Sequence, residues 1–345
     1  MRVPRFSYAA GFRLRTCTGY WVSASKDANM TETRPAKRER VKRYDILKGI
    51  AMLLVIWGHI SSLGNNFIYS FHMPVFFILS GYFFSHVGNR ELLAKDFKRL
   101  LMPYIATCLS ILVLSVILKG NTYRWILASL WGSGSNMYTA RYFSFVPHVG
   151  AIWFLLGLFW CRLAFNSIAK LGSDRRMLLA VCVLFLLATL TGRYLIVAPL
   201  SILPGICALP FMYFGYYSKR HAIGKRMRYM FIAVWIPCAV FSHLSIARCH
   251  FEWYFVDIVG GIGGYFVFMK LSSALERLGM ISTILTFIGR NSIVYLCVHL
   301  IVNIFFRIPV NTVLFFAFHV AVCSVVVVLL SLSKTTRELF KISLH

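Results

Sequence analysis

Residues 44–84 hold three side chains whose types and spacing suit acid–base work beside a charged ligand: Lys48, His59 and His72. Lys48 and His59 are eleven positions apart. On a helix that is three turns plus about 20°, so both lie on one face, about 16 Å apart along the axis. Imidazole titrates near neutrality and can take up or release a proton there. His72 sits in Phe71-His72-Met73-Pro74-Val75-Phe76-Phe77, a few residues into the next apolar stretch. With a link as short as 64–66, the two stretches are expected to be antiparallel neighbours. His59 and His72 would then meet at similar depth as an acid/base pair. Each has a plainer role as well. Lys48 alone fits an anchor that snorkels to the surface, and His59 alone fits an interfacial histidine. Their shared face favours the functional reading.

The elements that must position these residues are set by composition. Hydrophobic residues make up 59% of 345 and charged residues 14%, with a mean hydropathy of +0.70. Soluble domains carry nearly twice that charged fraction. Apolar runs recur along the whole chain, so the expected solvent is a bilayer, where backbone groups must bond internally. The expectation is an all-α, polytopic transmembrane helical bundle of about ten helices. Its spans would be 46–63, 67–86, 101–118, 148–168, 177–192, 195–217, 229–247, 253–271, 291–308 and 311–331. Lysine and arginine total 37 against 11 acids, a net +26. They cluster in short links such as 87–100 and 218–228, which reads as positive-inside topology with both termini cytoplasmic, and not as a nucleic-acid surface. The nine cysteines are scattered and read as packing residues; no metal site is expected.

Three domains follow. Residues 1–40 form a basic tail, or in the alternative reading an extension ahead of a start at Met30. Residues 41–335 form the transmembrane domain, and 336–345 a cytoplasmic tail. The only long outer segment, 119–147, is aromatic-rich and would lie across the surface or lid a cavity. Further candidates lie on the other spans. Asp257 is a carboxylate well inside a span, either functional or satisfying a buried cation. Ser292, Tyr295 and His299 share one helical stripe that lines a cavity or bonds a neighbouring helix. Ser80 and Gly81 allow close helix approach or contact substrate. Gly260-Gly261-Ile262-Gly263-Gly264 reads as a close helix contact. Trp153 belongs to an aromatic belt or stacks on an acceptor, and Arg290 meets a phosphate or a lipid headgroup.

These strings resemble the acyltransferase-3 family of membrane acyltransferases, most closely its fucose 4-O-acetylase-like branch. The specific pieces are the Lys48-X10-His59 spacing, the Phe71–Phe77 string and Ser80-Gly81-Tyr82-Phe83. Weaker agreement continues at Arg99 through Tyr104, Ile152-Trp153-Phe154-Leu155, Gly215-Tyr216-Tyr217 and Gly289-Arg290-Asn291-Ser292, covering residues 41–330. Many members carry Arg where this chain has Lys48, and Lys offers a point charge in place of a bidentate fork. The resemblance implies a multi-pass enzyme of the cell membrane. It would move an acyl group, usually acetyl, from acyl-CoA to a hydroxyl of a glycan or lipid-linked sugar. The donor is a substrate, with no permanently bound cofactor. His59 would be the general base and His72 its partner. Lys48, Lys98, Arg99 and Arg290 would hold the donor's phosphates. Ser80, Tyr82, Trp153, Asp257 and His299 would line the acceptor side. Its partners would be acyl-CoA, the sugar acceptor and membrane lipid, without nucleic acid. A secondary transporter or flippase for a glycan intermediate is the rival reading, because buried polar groups suit it too.

Overall fold

The chain crosses from water into apolar surroundings so often that only helices can satisfy its backbone, and helices are what it forms. The computed structural model describes residues 41–343 apart from 136, 140–142, 195–197, 307 and 309. The basic tail 1–40, with Met30, and Arg141 of the outer segment lie outside the described residues. In order the helices are α1 (Lys42–Ile60), α2 (Asn65–Tyr69), α3 (His72–Tyr82), α4 (Asn89–Asp96), α5 (Met102–Ile117) and α6 (Thr122–Trp131). After a short antiparallel hairpin, β1 (Met137–Thr139) and β2 (Phe143–Val146), come α7 (Trp153–Ala169), α8 (Asp174–Tyr194), α9 (Ile202–Cys207) and α10 (Leu209–Arg220). The last group is α11 (Lys225–Phe241), α12 (Phe255–Leu275), α13 (Gly279–Arg290), α14 (Ser292–Phe305), α15 (Thr312–Leu332) and α16 (Lys334–Phe340).

All ten apolar segments read from the sequence are helical, but they are not equivalent. Among the described residues five helices are long and apolar enough to cross a membrane, or up to seven if each of two bent pairs is one span. The bent pairs are α9–α10, with its preceding turn, at 49° and α13–α14 at 79°. Three differences from the expected boundaries have physical causes. The segment 67–86 is broken at Ser70–Phe71, so Pro74 falls in the first turn of α3, where a missing N–H costs least. The stretch 272–290, left between the expected spans 253–271 and 291–308, contains the amphipathic helix α13. The tail from 336 is anchored: Asn291 donates to the Ser343 carbonyl at 2.9 Å and accepts its N–H at 3.0 Å.

Close packing, not water exclusion, drives helix association in lipid, so small residues mark the tightest contacts. A Cβ on Gly81 of α3 would run into the Met212 carbonyl of α10, and one on Gly215 of α10 into the Ile78 carbonyl of α3. Gly49 and Gly289 play the same reciprocal roles between α1 and α13. Gly260, Gly263 and Gly264 of α12 meet Cys238, the Phe231 carbonyl and Phe71, so the glycine run is a close helix contact. Gly64, at φ +76°, supplies the left-handed turn that reverses the chain between α1 and α2. In this way α1 is pinned between α3, α12, α13 and α14 and carries its polar face into the bundle.

Candidate active site

Five histidines from separate parts of the chain are linked around the end of α1. The His59 and His299 rings lie 5.4 Å apart, tilted by 35°. His72 and His148 are within electrostatic reach of His59, and His319 of α15 is within reach of His299. An electrostatic interaction links His59 and His72, the two imidazoles read from the sequence as a pair. His299, expected along the acceptor side, belongs to the same group. Among the described residues no three His, Cys, Asp or Glu side chains converge to hold a metal ion.

The hydrogen bonds decide what each ring can do. His72 Nδ1 is 2.7 Å from the Ile68 carbonyl, and a carbonyl only accepts, so Nδ1 carries the proton. The bond also ties α3 to α2 across the break. His299 Nδ1 donates to the Tyr295 carbonyl at 2.9 Å, and His319 Nδ1 to the Phe315 carbonyl at 2.9 Å. In each neutral ring the remaining nitrogen, Nε2, holds a bare lone pair. For His299 and His319 that nitrogen is buried without a partner among the described residues. His72, His299 and His319 are almost completely buried. His59 differs: its ring is exposed although protein surrounds it, as for a side chain lining a cleft. No hydrogen bond among the described residues engages it. His148 lies half-buried in the loop ahead of α7, where burial and then Arg124 hold its pKa below the ordinary histidine value.

Charged residues form two compact clusters, one of them near the opposite end of α1. Asp45 accepts Lys48 Nζ on one oxygen at 2.6 Å and Arg290 Nε on the other at 3.2 Å. This fixes α1 to α13. Arg162, inside α7, bonds Asp96 Oδ2 through Nε at 2.6 Å and Ser80 Oγ through Nη1 at 3.2 Å. Lys98 and Arg99 sit on a π-helical turn, Phe97–Leu101, running into α5. Pro103 follows, with no N–H to offer the Arg99 carbonyl.

A family model described as an acyltransferase domain matches residues 41–334. The chain belongs to the acyltransferase-3 family. No curated protein and no solved structure matches it significantly. Membership makes this a membrane acyltransferase, and the histidine group is its candidate active site.

Elsewhere in the acyltransferase the expected site residues are dispersed. Tyr82 pairs with Tyr44 at 5.1 Å, near the α1 end remote from His59. Trp153 is buried against Gly134 and Gly157, a packing position. Asp257 is buried and satisfied without any cation: it accepts Ser242 Oγ at 2.5 Å and the Trp253 N–H at 2.8 Å. Both contacts steady the entry to α12. Tyr295 uses its hydroxyl on Ser324 of α15 at 2.6 Å, so part of the helical stripe is interhelical bonding. Sequence reasoning missed Arg162, Asp45, His148 and His319. Arg162 had a usable signal, being an arginine in the middle of an apolar run. Asp45 had one as well, an acid three positions before Lys48 on the same helix, whereas His148 and His319 had none, because the histidines they approach are distant in sequence.

Proposed function

We propose that this acyltransferase moves an acyl group, acetyl in the simplest case, from a cytosolic acyl-CoA to a sugar hydroxyl of a cell-surface glycan or its lipid-linked precursor. The observation that carries the reading is the contrast among the histidines. Within the group around the end of α1, His59 is the exposed ring and has no hydrogen bond among the described residues, while the buried imidazoles of His72 and His299 are locked as Nδ1–H tautomers with Nε2 left to accept.

That arrangement suits a general base. Turned toward Nε2 of His72 or His299, an N–H of His59 would donate there, which fixes its tautomer and leaves its other nitrogen bare. That nitrogen takes the proton of the acceptor hydroxyl as the oxygen forms its bond to the thioester carbonyl carbon. The tetrahedral intermediate collapses, the carbon–sulfur bond breaks, and the thiolate takes the proton back from His59. No acyl-enzyme is required. Both termini lie in the cytoplasm in this reading, so that the basic links face the donor. Buried polar groups and histidine relays suit a transporter as well; the acyltransferase domain over residues 41–334 favours transfer.

Mass spectrometry of surface glycans from cells with and without the gene tests this. Loss of an ester-linked acyl group in the deletion, restored by the wild-type gene and not by His59→Ala, is the expected result. Identical glycans in all strains would overturn it.

A further inference from the structure

The end of α1 remote from His59 borders a cleft of about 560 Å3 between α1, α3, α10, α11 and α12. Arg43, Lys225, Arg228 and Lys270 line it, and among the described residues no carboxylate does. These cations come from three different helices. No ion pair links any of them to an acid among the described residues. Like charges gathered around one concavity repel, and an anion relieves that cost. The Tyr44–Tyr82 pair forms part of the wall, and the Arg228 guanidinium lies 5.6 Å over the ring of Phe266. All four are exposed, and all four line the same aromatic-walled hollow. Lys48, Lys98, Arg99 and Arg290, the sequence candidates for the donor's phosphates, are not among its lining residues. Lys48 and Arg290 are already engaged by Asp45.

We propose that this cleft binds the nucleotide end of the acyl-CoA donor, a proposal that rests on the acyl-CoA reading above. Three properties select that ligand. It must carry several negative charges, and the 3′-phosphomonoester and diphosphate of CoA carry roughly four at neutral pH, matching four cations. It must present a flat ring to an aromatic wall, and adenine does. It must reach the histidines, because Arg43 and His59 are sixteen residues apart, about 24 Å along the helix. The pantetheine arm supplies that reach, running along the α1 face that bears Lys48 and His59. An anionic lipid headgroup meets only the first requirement.

Direct binding to the full-length protein in nanodiscs of zwitterionic lipid tests the proposal. CoA, dephospho-CoA and adenosine 3′,5′-bisphosphate are the probes. Arg228 and Lys270 are exposed, so the double variant Arg228→Ala/Lys270→Ala is expected to fold. It should bind CoA at least tenfold more weakly, and the effect on transfer should fall on KM more than on kcat. Wild type should prefer CoA to dephospho-CoA, the variant should lose that preference, and the bisphosphate should compete with CoA in wild type. Unchanged CoA affinity in the double variant overturns the assignment. So does loss of co-purifying anionic phospholipid from the variant with CoA binding intact, which would give the cleft to a lipid. The two readings fail separately: cleft-dependent CoA binding without any transfer refutes the acyltransfer reading alone, and transfer with cleft-independent binding refutes this proposal alone.

Discussion

Replacing Arg162 with Met should be among the most damaging single changes in the bundle, for an electrostatic reason. Its partner Asp96 has a side chain only 2% exposed, and Arg162 itself is 13% exposed. Asp96 Oδ1 is buried with no partner among the described residues, so Arg162 is the main group neutralising that carboxylate. Arg162→Met leaves the carboxylate buried alone, at a cost of about 3–5 kcal/mol. Adding Asp96→Asn removes the stranded charge. The double variant should then lose little beyond the Ser80 hydrogen bond and some packing, about 1–2 kcal/mol. Asp96→Asn should therefore recover about 2–3 kcal/mol in the Arg162→Met background. Reversible unfolding in mixed micelles, followed by tryptophan fluorescence, measures all three variants against wild type. The reasoning fails if Arg162→Met costs less than about 1 kcal/mol, or if the two changes add within about 0.5 kcal/mol.

Three further outcomes follow from the packing and the hydrogen bonds. Gly215→Leu drives a side chain into the Ile78 carbonyl of α3; folded yield after detergent extraction should collapse, while Phe214→Leu on the neighbouring position should be tolerated. Asn291→Ala removes both bonds to Ser343, costing about 1–2 kcal/mol, and hydrogen exchange at 341–343 should accelerate with α14 still protected. His72→Leu removes the bond to the Ile68 carbonyl and one acceptor beside His59; kcat should fall with KM for acyl-CoA little changed, and an equal rise in KM would speak for a donor contact instead.

Much of the architecture was legible because apolar runs, charge clusters and glycine spacing are local signals. The α1 helix, the Gly260–Gly264 contact and the approach of His59 to His72 all came from such signals. The break at Ser70–Phe71 was less visible, since an uninterrupted apolar run masks a change in backbone direction. The helix α13 was hidden by its polar face, which reads as a loop when periodicity is judged against spans. The site was only partly legible. Local spacing identifies α1 and α3, but it cannot show that α14 and α15 bring His299 and His319 to the same place. Nor can it distinguish Lys48 and Arg290, held by Asp45, from Lys225, Arg228 and Lys270, which no acid pairs. That depends on which acids the fold delivers to which cations.

The central claim is that His59 takes the proton from an acceptor hydroxyl during acyl transfer from a thioester. Purified protein in nanodiscs, given acetyl-CoA labelled in the acetyl carbon and a membrane glycan extract, tests it most directly across a pH series. Wild type should form an alkali-labile labelled ester, with kcat/KM falling as acid protonates the histidine, because only neutral imidazole accepts a proton. His59→Ala should lose about 10²–10⁴-fold in rate while still binding CoA as wild type does. Undiminished transfer by His59→Ala, with the same pH profile, would contradict the account.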